Sequence, residues 1–420
     1  MIGEAFAAEP LVPAQPTRPG WRWHRLTDVA RLATGHTPSR RHPEYWGGDI
    51  PWLQLPDIRA LDGKVATETS EYINEQGLAN SAAVLLPAST VCLSRTASVG
   101  FVAVMGRPMA TSQDFVNWVC GPELDPHFLM YVLLANRRHI RELGSGAVHQ
   151  TVYFPTVESF CICAPGVPEQ RRIASQLAEQ LEAATTVVAA AKERLSGAEA
   201  LPGAYLASVF EGKEARSWPS HQIGAVSRVK TGYAFKSSWF VPDGPVRVLR
   251  NANVHQGVIE WLDTVAMDEP SLARFKDFSL REGDIVLSLD RPIVANGLKV
   301  ATVSLSDTPS LLNQRVGRFD IDTANVVPGF LYGFLRSPQF ARALKGHDQS
   351  LGVPHVSPGQ VERVEMPVPP LDVQTRLVAR LSEALRSAEV LIASSREEVA
   401  MTESIAKSLL RHCFSEAPCP

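Results

Sequence analysis

The chain states one pattern twice. Laid over itself at an ungapped offset of 204, PGVPEQRRIASQLAEQLEAATTVVAAAKERL (Pro165–Leu195) falls on PPLDVQTRLVARLSEALRSAEVLIASSREEV (Pro369–Val399). Gln170 meets Gln374, Arg172 meets Arg376, and further along Phe210 meets Phe414. A chain with such a repeat must build one supersecondary unit twice, so the fold has to solve its packing problem in two copies. Upstream the echo continues with small insertions. VARLATG (Val29–Gly35) matches VSRVKTG (Val226–Gly232), and IPWLQLPDI (Ile50–Ile58) matches VRVLRNANV (Val246–Val254). STVCLSR (Ser89–Arg95) aligns with DIVLSLD (Asp284–Asp290), and TSQDFV (Thr111–Val116) with LNQRVG (Leu312–Gly317).

The repeated C-terminal parts read as long helices. Ala174, Leu177, Leu181, Ala184, Val188, Ala191, Leu195 and Ala198 alternate at spacings of three and four, a heptad seam. Val378, Leu381, Leu385, Ala388, Ile392, Ser395, Val399, Thr402, Ala406 and Leu409 repeat it in the same phase. Each seam is narrow and rich in small residues, so each helix needs a long partner, and the other helix supplies it. An antiparallel intramolecular pair carries one domain at each end. Pro202-Gly203 is expected to break or kink the first helix near its end. The parts between have short β-rich runs set among Gly, Pro, Asn and Asp turns, with a helix at His127–Leu143 and at Phe330–Leu344. The expected fold is α+β: two tandem loop-rich domains, each followed by a long helix, the two helices forming an antiparallel coiled coil with pseudo-twofold symmetry. The boundaries are a disordered tail over 1–20, a first domain over 21–164, a helix over 165–214, a second domain over 215–367 and a second helix over 368–416.

Composition narrows the function. With 420 residues, 45% hydrophobic and 20% charged, the chain can bury two or more cores. No window approaches a membrane-spanning run, and the first twenty residues lack the basic start and apolar core of a signal peptide, so the expected location is the cytoplasm. Cys92, Cys120, Cys161, Cys163, Cys413 and Cys419 are scattered, which implies neither a disulfide framework nor a zinc site. A net charge of -3 argues against coating DNA through bulk electrostatics but leaves room for a local basic face. Arginine outnumbers lysine more than threefold, and its planar fork suits guanine and phosphate.

Catalytic patterns are missing. Pro56–Lys64 (PDIRALDGK) superficially fits a metal nuclease built on Asp57, Asp62 and Lys64, but four residues between the two aspartates leave little room for the turn that would join two strands. A strand end and a turn at Asp62-Gly63 account for it better. There is no phosphate-binding loop, dinucleotide fingerprint, H-E-x-x-H or G-x-S-x-G, and no acid or base occurs twice. The loop histidines His149 and His355 are read as solvated or locally hydrogen-bonded. No catalytic or metal-binding residue is expected.

GVPEQRRIASQL (Gly166–Leu177) and PLDVQTRLVARL (Pro370–Leu381), together with the G-x-TPS-x-x-x-P-x-YW-x-G-x-IPW-x-x-x-x-D pattern of Gly35–Asp57, resemble the specificity subunit of type I restriction-modification systems over Trp21–Phe414. Val373 stands where that family's motif carries an acidic residue. The resemblance implies two target recognition domains, each reading half of a split, asymmetric double-stranded DNA sequence, on a spacer that docks two methyltransferase subunits. It also implies S-adenosylmethionine in those partners, and ATP with Mg in a restriction translocase subunit, with no cofactor in this chain. A helix of about 35 residues at about 1.5 Å each spans about 50 Å, enough for half-sites one DNA turn, about 34 Å, apart.

Polar groups at equivalent loop positions are the candidate DNA contacts. In the first domain they are Arg40, Arg41, Gln54, Arg59, Arg95, Ser112, Gln113 and Gln150. In the second they are Lys230, Tyr233, Lys236, Arg250, Asn251, Asn253, Arg291, Asn313, Gln314 and Arg315. Asn and Gln suit adenine, and Arg suits guanine or phosphate. Tyr45, Trp46 and Trp52 are expected to anchor the loop that presents Arg40, Arg41 and Gln54. Both domains are near neutral, with 12 basic and 13 acidic residues over Trp21–Ala164 and 16 and 15 over Ser217–Met366, so tight DNA binding is expected to need a partner's basic surface. The alternative is a coiled-coil protein-interaction scaffold without DNA readout.

Overall fold

The computed structural model describes residues 5–12, 18–145, 150–294, 297–345 and 355–414; His149 and Cys419 lie outside them. The chain divides into two units, Met1–Ala191 with Glu398–Pro420, and Lys192–Glu397.

In the first unit, the strands Ala30–Thr34, Phe115–Cys120, Thr90–Ser94 and Val102–Met105 form an antiparallel sheet, and Val65–Ala66 joins it in parallel. A second sheet centres on Trp46–Leu53, with Tyr72–Ile73 antiparallel on one side and Ala110–Thr111 parallel on the other. In the second unit, Ser227–Thr231, Val316–Ile321, Ile285–Ser288 and Val300–Thr302 repeat the first sheet. Val246–Leu249, between Ala266–Met267 and the parallel Ser310–Leu312, repeats the second. The duplication reaches single atoms. Ser112 donates its N–H to the Leu53 carbonyl at 3.0 Å, and Asn313 donates to Leu249 at 3.1 Å. Gly35 and Gly232 are required at their shared position, because a Cβ would fall onto the Ser112 carbonyl in one copy and the Leu312 carbonyl in the other.

One expected alignment is shifted by one residue. Leu93 pairs with Val116 and Leu287 with Gly317, so Leu93 corresponds to Leu287 and Arg95 to Leu289 rather than to Asp290. Both segments are buried at every position, on both faces, so they carry no alternation to fix register.

The long helices run Val167–Phe210 and Leu371–Phe414. Each unit contains the start of one and the end of the other, so the pairing is antiparallel. Both seams pack as the heptads predict, with Leu177, Ala191 and Ala198 buried in the first and Leu381, Ala388 and Ser395 in the second. The first helix continues through Pro202 and does not break there. A proline removes one intrahelical hydrogen bond, and burial of Leu206 and Phe210 in the second unit's core holds the last turns. The shorter helices divide in two, as Pro126–Ala135 with Arg137–Glu142 and Pro328–Leu335 with Pro338–Lys345.

The expected disordered tail over 1–20 contains an ordered strand. Phe6–Ala8 forms a strand on the edge of Phe160–Ala164, whose other edge takes Arg22–Arg25, and Phe6 is fully buried against Phe160. Three residues are too few to show periodicity, and the strand's partner lies far along the chain. None of the described helices is long and apolar enough to cross a membrane.

Candidate nucleic-acid interface

The segments that follow the parallel strand pair carry Gln54, Ser112 and Gln113 in the first unit and Arg250, Asn251, Asn253, Asn313, Gln314 and Arg315 in the second. In the first unit, Trp52 is buried, donates its indole N–H to the His36 carbonyl at 3.1 Å, and meets Trp46 edge-on. Both tryptophans therefore pack within their own domain, as expected. Arg40 lies over Trp46, 3.7 Å from the ring centroid, and forms a two-pronged ion pair with Glu71. That hydrogen bonding raises the arginine pKa and holds the Glu71 carboxyl below its usual value. Arg41, next in the chain, is exposed.

Gln54 is half-buried and donates to Ser70 at 3.0 Å. Its backbone N–H is capped by Asp57, 3.2 Å away. Arg59 donates to Ser98. Arg95 donates to the Gln113 carbonyl at 3.1 Å and covers the Phe154 ring; burial lowers its pKa while Asp114 opposes the shift. Gln113 is exposed and accepts from Thr37. Gln150 is exposed and donates to the Arg141 carbonyl. Ser112 is only 2% exposed and donates to Asp114, so it holds the loop rather than facing outward.

In the second unit, Tyr233 belongs to an aromatic cluster with Phe235, Trp239, Phe275 and Phe278. Lys236 and Arg274 sit over Trp239. Lys230 pairs with Asp320 at 2.6 Å. Arg250 is half-buried and bound to Asp263. Asn251 and Asn313 are half-buried, whereas Arg291, Gln314 and Arg315 are exposed.

Asn253 is not available as a base reader. It is 1% exposed, accepts the Arg250 N–H at 3.1 Å and donates to the Glu260 carbonyl at 3.0 Å. It is the counterpart of Asp57, doing the same capping work. A polar residue in a loop reads as exposed in a sequence; only the backbone it caps shows otherwise.

The nuclease geometry is not assembled. Asp57 accepts backbone N–H groups from Gln54 and Ser70, and Asp62 takes Arg137 on both oxygens, 2.6 Å each, plus the Val102 N–H. Among the described residues no cluster of three His, Cys, Asp or Glu could hold a metal ion.

The helix starts carry a feature the sequence marked without explaining. Gln170, 1% exposed, donates to the Pro165 and Glu123 carbonyls at 2.8 and 3.0 Å and accepts the Asp125 N–H at 2.8 Å. Gln374, fully buried, does the same with Pro369, Asn325 and Val327 at 2.8, 3.1 and 2.9 Å. Each glutamine buttons its long helix to its own domain.

Comparison with known proteins fits this geometry. The family model described as "Type I restriction modification DNA specificity domain" matches twice, over residues 19–195 and 216–399. The Escherichia coli type I restriction enzyme EcoAI specificity subunit is 39% identical over 174 residues, 41% of this chain and 29% of that protein. The Methanocaldococcus jannaschii MjaVIII specificity subunit is 25% identical over 404 residues, 93% of this chain and 91% of that one. The fold resembles a chain from a structural study of complex assembly and conformational transition of the type I R-M system, with a TM-score of 0.73 at 19% identity, covering 94% of this chain and 98% of that one. It also resembles the HsdS subunit from Thermoanaerobacter tengcongensis, with a TM-score of 0.59 at 19% identity over 94% and 97%. With both halves matched by the same family model, the chain belongs to the type I restriction-modification DNA specificity family.

Proposed function

We propose that this chain is the non-catalytic DNA-recognition subunit of a type I restriction-modification complex, reading a split, asymmetric double-stranded target with one half per domain. One observation carries the reading. Two copies of a scaffold share equivalent backbone hydrogen bonds yet carry different polar side chains on them, Asp114 in one loop against Arg315 in the other. That is what reading two different half-sites requires. The paired helices would space the readers and dock two methyltransferase subunits that bring S-adenosylmethionine, and a translocating restriction subunit would bring ATP and Mg. With both domains near neutral, a partner's basic surface would supply much of the phosphate affinity. The site of action is the cytoplasm, where the DNA is. Mapping methylated adenines in the source genome with and without this gene tests the reading: loss of one split motif is expected, and an unchanged pattern would refute it.

A further inference from the structure

His355 lies outside every expected DNA-contact position, yet the fold builds a mount for it. Asp290 is only 4% exposed, and both its carboxylate oxygens are used. Oδ1 accepts from His355 Nδ1 at 2.7 Å, and Oδ2 accepts from Arg315 Nη1. The backbone repeats the connection, since Asp290 and His355 form a β-bridge and Val356 donates to the Leu289 carbonyl at 2.8 Å. Ser288 donates its hydroxyl to the Asp290 carbonyl at 2.6 Å, fixing the turn from inside. The carboxylate is thus buried while both partners point outward, with side-chain exposures of 57% for Arg315 and 58% for His355.

The first domain has the same mount with other groups on it. Val152 donates to the Arg95 carbonyl at 2.9 Å, and Thr96 bridges Thr151. Thr96 therefore corresponds to Asp290, Thr151 to His355 and Asp114 to Arg315. Backbone is kept and side-chain chemistry is exchanged, whereas the neighbouring Gln113 and Gln314 keep the same side chain.

We propose that His355 is a specificity-determining residue of the second domain, reading a base edge of its half-site, with Asp290 as the positioning residue that aims it and Arg315. With Nδ1 committed to Asp290 as donor, the free Nε2 is the reading atom: an acceptor for an exocyclic amino group when the ring is neutral, a donor to a purine acceptor when it is charged. Asp290 acts twice, fixing the ring's orientation and holding the guanidinium of Arg315 beside it.

This rests on the DNA-reading function, and the experiment separates the two. Adenine methylation motifs are mapped in cells carrying the complete system with the wild-type chain, His355→Ala, His355→Gln or Asp290→Asn. A wild-type chain that directs no split motif would overturn the DNA-reading function and this proposal with it. Given a split motif, His355→Ala is expected to relax or change one or two base positions in one half only, by tenfold or more in relative methylation, and Asp290→Asn to alter the same half. A purely structural role would lower methylation at all sites without changing the motif, and a phosphate contact would weaken all sequences evenly. Either result, or an unchanged motif with His355→Ala, overturns the proposal. Because His355 is exposed, its variants fold even where Asp290→Asn does not.

Discussion

Phe414 packs edge-on against Phe128, ring centroids 5.7 Å apart, so the end of the second long helix is seated in the core of the first domain's unit. Phe210, its counterpart, sits among Phe330 and Phe334 at 5.1 and 5.4 Å in the other unit. Each unit's core is therefore closed by an aromatic side chain from the far end of the other repeat's helix. Phe414→Ala should leave a cavity costing about 3–5 kcal/mol. Chemical denaturation would measure it, and a loss below about 1 kcal/mol would show that the helix end is not seated there.

Gln374→Met tests the buttons at the helix starts. Methionine fits the space but leaves the Pro369 and Asn325 carbonyls and the Val327 N–H without their partner. Unsatisfied buried polar groups cost about 1–3 kcal/mol each, so a loss of about 3 kcal/mol or more is expected. Gln374→Glu keeps the shape and the acceptor but sets a carboxylate oxygen against two carbonyls, and should be at least as damaging at neutral pH. Equal stability of wild type and both variants in denaturant melts would rule the role out.

Much of this was legible in the sequence. The 204-residue offset showed the duplication and the heptads showed the paired helices, because long periodic elements bury a face that their spacing reveals. Gln170 and Gln374 stood out as a match, but their function depends on Asp125 and Val327, some 45 residues away, which no local pattern reports. The strand Phe6–Ala8 was invisible for the same reason. Asn253 and Ser112 read as exposed in the sequence because capping and reading use the same polar side chains. The one-residue shift at Arg95 arose where buried strands carry no alternation.

The Arg40–Glu71 pair makes a pH prediction. Hydrogen bonds from Arg40 hold the Glu71 carboxyl below its ordinary value, while partial burial opposes them. A depressed carboxyl pKa contributes stability above the unfolded value, about 4.3, and loses it as pH falls through the lower folded value. Acid titration should therefore release Arg40 from Trp46, seen as a tryptophan fluorescence change below about pH 4 that Glu71→Gln abolishes. The same change in the Gln variant would assign it elsewhere.

Asp57 and Asn253 make a graded prediction, because one position carries two residues in the two copies. Asp57 accepts two backbone N–H groups, from Gln54 at 3.2 Å and Ser70 at 2.9 Å. Asn253 accepts one, from Arg250, and spends its amide on Glu260. Asp57→Asn can therefore keep the cap on the helix Leu55–Ala60 but must turn a donor toward Ser70, whereas Asp57→Ala loses both bonds. Loss of a cap costs about 0.5–2 kcal/mol, so stability should fall in the order wild type, Asn, Ala. The loop carrying Gln54 should loosen in step, read by hydrogen exchange at Gln54 and Ser70. A nuclease carboxylate would behave differently, with both variants leaving stability intact and abolishing metal-dependent cleavage. Unchanged melting in Asp57→Ala would therefore refute the capping role, and graded destabilisation would confirm that the aspartate holds the segment carrying Gln54.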